Sequence, residues 1–428
     1  MDRKIQPSIH TLENLSIAAP VRTTLPNGIP LNIIWAGEQD VVRMDIVFKS
    51  GRWYQTQLLQ ALFTNRMLRE GTRSYTGATI AEKLDYYGSW VELSTSTKYA
   101  YITVYSLNKY LSETLEVVSS MVREATFPEK ELHTVLEANI QQFKVNDTKV
   151  NVLAQRSLMK ALYSEEHPCG QAAREEEYRA VTSEVLADYY RRFYHSRNCS
   201  IYLSGKVTTE VVARVREALG EQPFGECSAL EADKRFTIVT ASEKRIFVER
   251  PDAMQSAVKL GAITIDNTHP DIEKFKVVVT LFGGYFGSRL MSNIREEKGY
   301  TYGISAGIAS FPDSGMLIVG TETDNGYVEP LIKEVYHEID RLHEELVSEE
   351  ELSLVRNYLM GEMCRSYESP FSLADAWIFV DTSGLDGGYF SRSVEAVNTI
   401  TPAEIRDLAQ RYLRKETLKE VIAGKKMT

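Results

Sequence analysis

The segment VTSEVLADYYRRFYHSRNCSIYLSGKV, residues 181–207, returns near the end of the chain as ITPAEIRDLAQRYLRKETLKEVIAGKK, residues 400–426. The two segments align without a gap, and each has a threonine in second place, Thr182 and Thr401. Each predicts a threonine N-cap, an amphipathic helix with a basic last turn, and then a short apolar strand. One helix–strand unit is therefore predicted twice in the chain.

A second pair of segments repeats at nearly the same separation. YLSETLEVVSSMVREATFPEKELHTV begins at Tyr110, and YVEPLIKEVYHEIDRLHEELVSEEELSLV begins at Tyr327. Both predict a long helix, a short break and a second helix with an acidic first turn. Because the two pairs occur in the same order and at one offset, we predict a duplicated domain with halves at residues 1–225 and 226–428. The polar segment GECSALEADKRF, residues 225–236, is the predicted linker.

Each half mixes predicted strands with predicted helices. VVRMDIVFKSG and GMLIVGTETD carry the β-branched runs of strands. The runs Trp90–Ser96 and Tyr99–Ser106 follow each other closely and predict an antiparallel ribbon. The expected fold class is α+β, with two homologous α/β-sandwich halves, each a mostly antiparallel sheet with helices on one face.

Composition narrows the class of protein. The chain has 428 residues, 43% hydrophobic and 25% charged, which is typical of a globular protein of two domains. No apolar run reaches the roughly 18 residues of a membrane helix, and MDRKIQPSIHTLENLS lacks the apolar core of a secretory signal, so we expect no membrane association. The net charge of −10 argues against nucleic acid as a partner. The four cysteines form no Cys-x-x-Cys pair, which favours free thiols and a cytoplasmic protein.

The segment LLQALFTNRMLREGT, residues 58–72, predicts an apolar helix that ends in Met-Leu-x-x-Gly-Thr. With this frame, the opening strands of TLPNGIPLNIIWAGEQDVVRMDIVFKSG and the segment HPCGQAAREEEYRAVTSEVLADYYRRFY, the chain resembles the pitrilysin-type peptidases. That zinc peptidase family includes mitochondrial processing peptidase and insulin-degrading enzyme. The resemblance extends over nearly the whole chain and implies the same repeated halves.

The chemistry of that family depends on His-x-x-Glu-His on this helix, where the two histidines bind zinc and the glutamate is the general base. Aligned on the frame, this chain has Leu62, Asn65 and Arg66 at the three positions. Leucine cannot ligate, asparagine is no base, and arginine is a permanent cation that repels a metal. The downstream window LEANIQQFKVND, where the family has its third ligand, has carboxylates only at its ends, Glu137 and Asp147. We therefore predict no metal and no cofactor in this chain.

No other motif replaces the missing site. None of the seven histidines has the His-Glu-x-x-His spacing, and neither Gly-x-Ser-x-Gly nor a Walker loop occurs. His167, before Pro168, is expected to be structural.

The second half contains LFGGYFGSRLMSNIREEKGYTYGISAG, residues 281–307. Gly283, Gly284 and Gly287 predict a turn where the backbone can approach a ligand or a neighbouring chain. A helix should follow and end at Gly299, with a strand after it.

Within this segment the resemblance implies a substrate-contacting pair. Arg295 on the helix and Tyr302 on the strand match an arginine and a tyrosine that, in the family, reach the zinc site of the other half or other subunit. Both are hydrogen-bond donors that can converge on a substrate carbonyl oxygen as negative charge develops. The alternative is a solvated helix end at Arg295 and a core position for Tyr302.

Two functions remain open from the sequence. The first is a non-catalytic, substrate-binding subunit of a heterodimeric zinc metallopeptidase that acts on unfolded peptides; it would be inactive alone, and zinc would reside only in a homologous partner. The second is a metal-free scaffold or binding protein of the same fold, without a role in proteolysis, which could form a homodimer.

Overall fold

The structure is a computed structural model that describes residues 17–226 and 232–427. The described part does not include residues 227–231 of the predicted linker or residues 1–16. The prediction that the N-terminal segment is not a secretory signal therefore falls on residues outside the described part. The strands are β1 (Val21–Thr24), β2 (Pro30–Ile33), β3 (Val41–Phe48), β4 (Trp90–Thr95), β5 (Ala100–Leu107), β6 (Cys199–Gly205), β7 (Arg245–Glu249), β8 (Gln255–Thr264), β9 (Thr301–Phe311), β10 (Ser314–Asp324) and β11 (Lys419–Gly424).

Helices account for most of the remaining chain. They are α1 (Gln60–Arg66), α2 (Gly77–Tyr86), α3 (Leu111–Glu124), α4 (Glu129–Asn146), α5 (Val150–Tyr163), α6 (Glu175–Arg179), α7 (Ser183–Phe193), α8 (Thr209–Val215), α9 (Ile272–Val279), α10 (Val328–Glu344), α11 (Glu349–Ser366), α12 (Pro370–Thr382), α13 (Tyr389–Thr399) and α14 (Pro402–Tyr412). Short π-type segments cover Arg216–Gly220, Thr280–Gly284 and Met291–Glu297. Short 3-10 turns cover Met67–Arg69, Asn108–Tyr110, Ser196–Asn198 and Asn325–Tyr327.

The two sheets repeat one topology. The first has the order β1-β2-β6-β3-β5-β4, and the second has the order β7-β11-β8-β10-β9. Apart from β1, the strands correspond one to one, and the parallel pair β2–β6 recurs as β7–β11 while the other pairs are antiparallel. The predicted α+β fold with two homologous halves is confirmed. By this correspondence the end strand β4 of the first sheet is equivalent to the end strand β9 of the second.

The repeated segment that predicted the duplication has the predicted local structure in both copies. The Thr182 hydroxyl accepts a hydrogen bond from the backbone of Val185 at 3.3 Å and caps α7, which leads to β6. The Thr401 hydroxyl caps α14 in the same way through Glu404, and β11 follows. Each cap satisfies a backbone N–H group that would otherwise have no partner at the start of its helix.

Each sheet is covered on one face by helices of its own half and contacted on the other by a helix of the opposite half. Helix α5 of the first half packs on β8 and β11, and Leu158 lies so close to Gly261 that an added Cβ there would be 3.0 Å away. Helix α12 of the second half packs on β6, and the Arg43 guanidinium on β3 bonds to Asp375 and to the carbonyl of Phe371. This exchange of helices was not predicted from the sequence. Within residues 17–226 and 232–427, no helix has both the length and the apolar character to cross a membrane.

The chain between the sheets is bound to the first half where the structure describes it. The Asp233 carboxylate bonds to Lys49, Lys98 and the Tyr54 hydroxyl, at 2.6 to 2.7 Å. Burial opposes the charge of Asp233, but these three donors outweigh it and hold the pKa of that carboxyl well below its usual range. The carbonyl of Lys234 accepts from the Trp53 indole at 2.9 Å. The described part of the predicted linker is therefore a fixed strap, whereas the boundary at residues 225 and 226 stays a prediction.

His167 also joins the halves. Its ring is fully buried, its Nδ1 accepts from the backbone of Cys169 at 3.1 Å, and its Nε2 lies 3.0 Å from Asp313 in the β9–β10 turn. The ring stacks on Tyr163 and contacts Trp53 edge-on. This environment is that of a structural residue.

Candidate functional site

Helix α1 carries the three positions where zinc ligands and a general base would stand. It begins after Leu59, whose φ of 70° lies in the left-handed region that a leucine rarely adopts. Asn65 is buried, with 1% of its surface exposed, and its amide donates to the carbonyl of Tyr101 on β5. Leu62 is only half-buried and faces a groove.

Arg66 is bonded to the helix that carries the downstream window. Its guanidinium donates to the side-chain oxygen of Asn139 on α4, and it also lies over the Phe63 ring at 5.8 Å. The donor set at this place is a hydrocarbon, an amide and a guanidinium, which does not fit zinc. Among the described residues there is also no cluster of three or more His, Cys, Asp or Glu side chains that could hold a metal ion.

A groove of about 430 Å³ opens beside α1. Its walls include Leu59 just before α1, Leu62 of α1, Thr95 at the end of β4, and Gln171 from the loop before α6. Because β4 is the end strand of its sheet, the groove lies between an apolar helix face and the turn that follows an end strand. Of the three replaced positions, Leu62 is the one that lines this open, largely uncharged cleft, whereas Asn65 is buried and Arg66 is bonded to α4.

The second half places Arg295 and Tyr302 in contact with each other. The Arg295 Nε donates to the backbone carbonyl of Tyr302 at 3.1 Å, and the guanidinium lies over the Phe286 ring at 4.5 Å. Its Nη1 is 3.7 Å from Glu296, a loose ion pair. One nitrogen and one face of the guanidinium thus fix its position, which leaves the two terminal nitrogens to act as donors.

A β-bulge determines the direction of Tyr302. Ile304 pairs with Thr321 of β10, but the next pair along is Thr301 with Thr323, so Tyr302 and Gly303 together oppose one residue. The extra residue moves Tyr302 off the helix-covered face, where plain alternation from the buried Ile304 would put it. Tyr302 is consequently 92% exposed, which excludes the alternative of a core position.

Two threonine hydroxyls hold the bulge in place. The Thr321 hydroxyl donates to the carbonyl of Gly303 at 2.8 Å, and the Thr301 hydroxyl donates to the carbonyl of Glu322 at 2.7 Å. Both threonines were missed in the sequence. In the sequence these threonines stand out only as β-branched residues within predicted strands. Many residues without such a role share that feature.

The three glycines of the preceding loop differ in their surroundings. Gly283 is buried, and a Cβ there would lie 2.7 Å from the Cβ of Ala306, so this glycine allows the helical segment to pack on β9. Gly284 and Gly287 are exposed and can be approached from solvent. Gly299 has a φ of +67° after the segment Met291–Glu297, as predicted for a helix-ending glycine.

The two sets of site residues belong to different halves of the molecule. In the described part of the chain, no hydrogen bond, ion pair or ring contact joins Arg295 or Tyr302 to Leu62, Asn65 or Arg66.

Two protein-family models match consecutive parts of this chain. Residues 36–174 match the family "Insulinase (Peptidase family M16)", and residues 180–359 match "Peptidase M16 inactive domain". Together these matches include α1 and the Arg295–Tyr302 pair.

Several relatives are similar over most of their length. An uncharacterized zinc protease, YmxG, of Bacillus subtilis is 23% identical over 81% of this chain and 84% of its own. A non-peptidase homolog, YmxG, of Helicobacter pylori is 25% identical over 72% of this chain and 71% of its own.

Solved structures share the fold. The peptidase M16 inactive domain from Pseudomonas fluorescens superposes with a TM-score of 0.85 at 21% identity, over 96% of this chain and 99% of that one. A protease from Helicobacter pylori gives 0.86 at 14% identity, over 96% and 100%. With the three replaced positions on α1, these matches support an inactive M16-like protein. The chain belongs to peptidase family M16.

Proposed function

We propose that this chain is the non-catalytic, substrate-binding subunit of a two-subunit metallopeptidase that acts on unfolded peptides. Its partner is a homologous subunit that carries His-x-x-Glu-His, and zinc resides in that partner alone. The observation that carries the proposal is the bulge in β9, which turns Tyr302 to solvent beside the guanidinium of Arg295.

The presentation of this pair is difficult to explain as a requirement of folding. A tyrosine that is 92% exposed contributes little to a core, and a bulge interrupts the ladder between β9 and β10. Bulges of this kind are common next to sites where a side chain has to be re-aimed. The bulge therefore supports the proposal, because it interrupts the hydrogen bonding of the sheet without burying Tyr302.

The chemistry that the pair offers is stabilisation of a carbonyl oxygen. The terminal nitrogens of Arg295 and the hydroxyl of Tyr302 are donors that do not accept a proton themselves, so they bind an oxygen more strongly as it becomes negative. Arg295 needs no rearrangement for this, since its Nε and Phe286 already fix the guanidinium plane. Bond cleavage itself is left to the partner.

The test is reconstitution with a homologous subunit that carries His-x-x-Glu-His. We expect this chain alone to show no peptidase activity and the mixture to be active on an unstructured peptide. In the mixture, Arg295→Ala and Tyr302→Phe should each lower kcat by about 10²–10³-fold, the usual effect of removing one oxyanion donor.

Matched variants separate this effect from general damage. Arg365→Ala removes an exposed arginine of α11 that pairs with its neighbour Glu362, and Tyr86→Phe alters an exposed tyrosine of α2. Both should leave kcat unchanged. Full activity of the Arg295 and Tyr302 variants would exclude the proposed role, and a stable homodimer that never joins a zinc-bearing homologue would favour the scaffold function instead.

A further inference from the structure

One half-buried arginine lies in the wall of the groove beside α1 without a carboxylate to balance its charge. Arg52 lines this groove, whose volume is about 430 Å³. Within residues 17–226 and 232–427, its buried Nε has no hydrogen-bond partner and its guanidinium forms no ion pair. Charges that leave water in a folded protein are normally paired, so this guanidinium is suited to bind an anionic group from outside the chain.

The neighbours of Arg52 do not supply a negative charge. The Cys169 thiol lies next to the guanidinium, but burial raises the pKa of this thiol to about 12, so it stays neutral at physiological pH. The Asp313 carboxylate, which also acts on Cys169, is bonded to the His167 ring at 3.0 Å. The whole chain has a net charge of −10, so a groove with an excess of positive charge is a local exception.

The other walls of the groove combine an apolar face with uncharged polar groups. The half-buried Leu58 and Leu62 supply the apolar face, and Gln55 and Gln171 supply side-chain amides. Arg52 is the single charged residue among the described residues that line the groove. The volume lies near the lower end of the range for small-ligand sites, so the groove fits a short segment with one negative charge.

The chemistry of these walls favours the carboxyl terminus of a peptide over other anions. One guanidinium balances one negative charge, whereas a phosphate group carries about −1.5 to −2 and would stay partly uncompensated. A carboxylate matches the fork of donors on the Arg52 guanidinium. A free fatty acid would use the arginine and the leucines alone, while the last peptide group of a polypeptide offers an N–H and a carbonyl to the two amides.

We propose that the groove beside α1 binds the carboxyl terminus of a peptide that ends in an aliphatic residue. The terminal carboxylate pairs with Arg52, the last side chain packs on the leucines, and the last peptide group bonds to the glutamines. Leu62 stands where the family has a zinc-binding histidine, so the replacement that removed the metal ligand also supplies part of this apolar wall. The site goes beyond the proposed function, because it requires neither a zinc-bearing partner nor the pair Arg295 and Tyr302.

The experiment is binding of a peptide to the purified chain, followed by fluorescence anisotropy. The probe is a hexapeptide that is labelled with fluorescein at its N-terminus and ends in Ala-Leu with a free carboxylate. The matched probe has the same sequence and a C-terminal amide. A hydrogen bond to a charged group corresponds to about 10- to 100-fold in affinity, so the amide should bind more weakly by that factor.

A substitution of the arginine tests whether it is the group that reads the carboxylate. Arg52→Gln should weaken binding of the free acid by the same factor and leave binding of the amide unchanged, because both changes remove one and the same contact. Arg52→Lys keeps the charge but loses the fork of donors, so it should retain only part of the affinity. Arg52→Gln should also keep or raise Tm, since it replaces an unpaired charge in a half-buried position.

The matched control is Arg365→Gln, which removes one positive charge from the exposed surface of α11 and should bind both probes as the wild type does. Isocaproate has the carboxylate and the aliphatic chain without a peptide group, and it should compete about tenfold less well than the unlabelled hexapeptide.

Three results would overturn the inference. They are equal affinity of the wild type for the free acid and the amide, no binding of either probe, and competition by isocaproate as strong as that by the hexapeptide. The comparison of the two probes uses the wild-type chain, so it decides the question even if a variant of Arg52 folds poorly. The mixed peptidase assay with Arg295→Ala is independent of these results, so this site can fail while the proposed function stands.

Discussion

At the scale of single residues, Arg66 joins α1 to α4 through a hydrogen bond to Asn139. A metal held between these helices would make the same connection through ligands, and here one guanidinium and one amide make it without any metal chemistry. The hydrogen bond therefore connects α1, which carries Leu62 at the wall of the groove, to α4.

The contribution of the Arg66–Asn139 hydrogen bond to stability can be measured. Arg66→Ala removes the donor and leaves Asn139 without this partner, so the free energy of unfolding in urea should fall by about 1 kcal/mol. Arg69→Ala, which removes an exposed side chain 3.7 Å from Glu70, should change it by only a few tenths, about the contribution of a surface ion pair. Equal losses in the two variants would show that Arg66 has no special role.

The chemistry of these residues could be predicted from the sequence, but their partners could not. Leu62, Asn65 and Arg66 exclude a zinc site by residue type alone. Asn139 stands 73 residues after Arg66, and nothing in the local pattern distinguishes it from the other polar residues of α4.

At the scale of secondary structure, the bulge in β9 connects local hydrogen bonding to the candidate site. Thr321 is buried, and its hydroxyl binds the carbonyl of Gly303, the second residue of the bulge. Loss of this bond should allow β9 to relax and Tyr302 to leave its position beside Arg295.

Thr321→Val keeps the shape of the side chain and removes its hydroxyl. We expect about 1 kcal/mol less stability and a lower kcat in the mixed peptidase assay. Thr114→Val, in the first half, removes a buried hydroxyl that bonds to the carbonyl of Tyr110 at 2.9 Å, and it should cost at least as much stability with no change in kcat. If kcat follows stability in both variants, the bulge has no part in the site.

Helices and strands were predictable wherever the signal is local. The Thr182 and Thr401 caps and the left-handed Gly299 are set by residues within one turn. The bulge is different, because it depends on the register between β9 and β10, and the alternation within β9 alone would have placed Tyr302 on the buried face beside Ile304.

At the scale of the whole molecule, the halves are interlocked by exchanged helices and by the strap, which is the part of the predicted linker that is bound to the first half. The amphipathic pattern of α5 predicts that one face is buried, but it does not show that this face packs on the sheet of the other half. Duplication was therefore visible in the sequence, while the interlocking was not.

The strap makes the stability of the assembled halves depend on pH. The folded-state pKa of Asp233 is depressed by Lys49, Lys98 and Tyr54, so its contribution is fully present above the ordinary aspartate pKa of about 3.9 and is lost as the pH falls through the lower folded value. Asp233→Asn should lower the free energy of unfolding at pH 7 by about 1–2 kcal/mol, the value of a hydrogen bond between charged groups after allowance for partial exposure.

Measuring the free energy of unfolding of wild type and Asp233→Asn across pH shows whether the folded-state pKa of Asp233 is lowered or raised. The difference between wild type and Asp233→Asn should be constant from pH 7 to about pH 5 and shrink below about pH 4 as the wild-type carboxylate gains its proton. Asp40→Asn, which removes a more exposed partner of Lys206, should give a small difference at every pH. A difference for Asp233 that grows toward acid would mean that the carboxylate is not held by these cations, and that the strap does not hold the halves together through this charge.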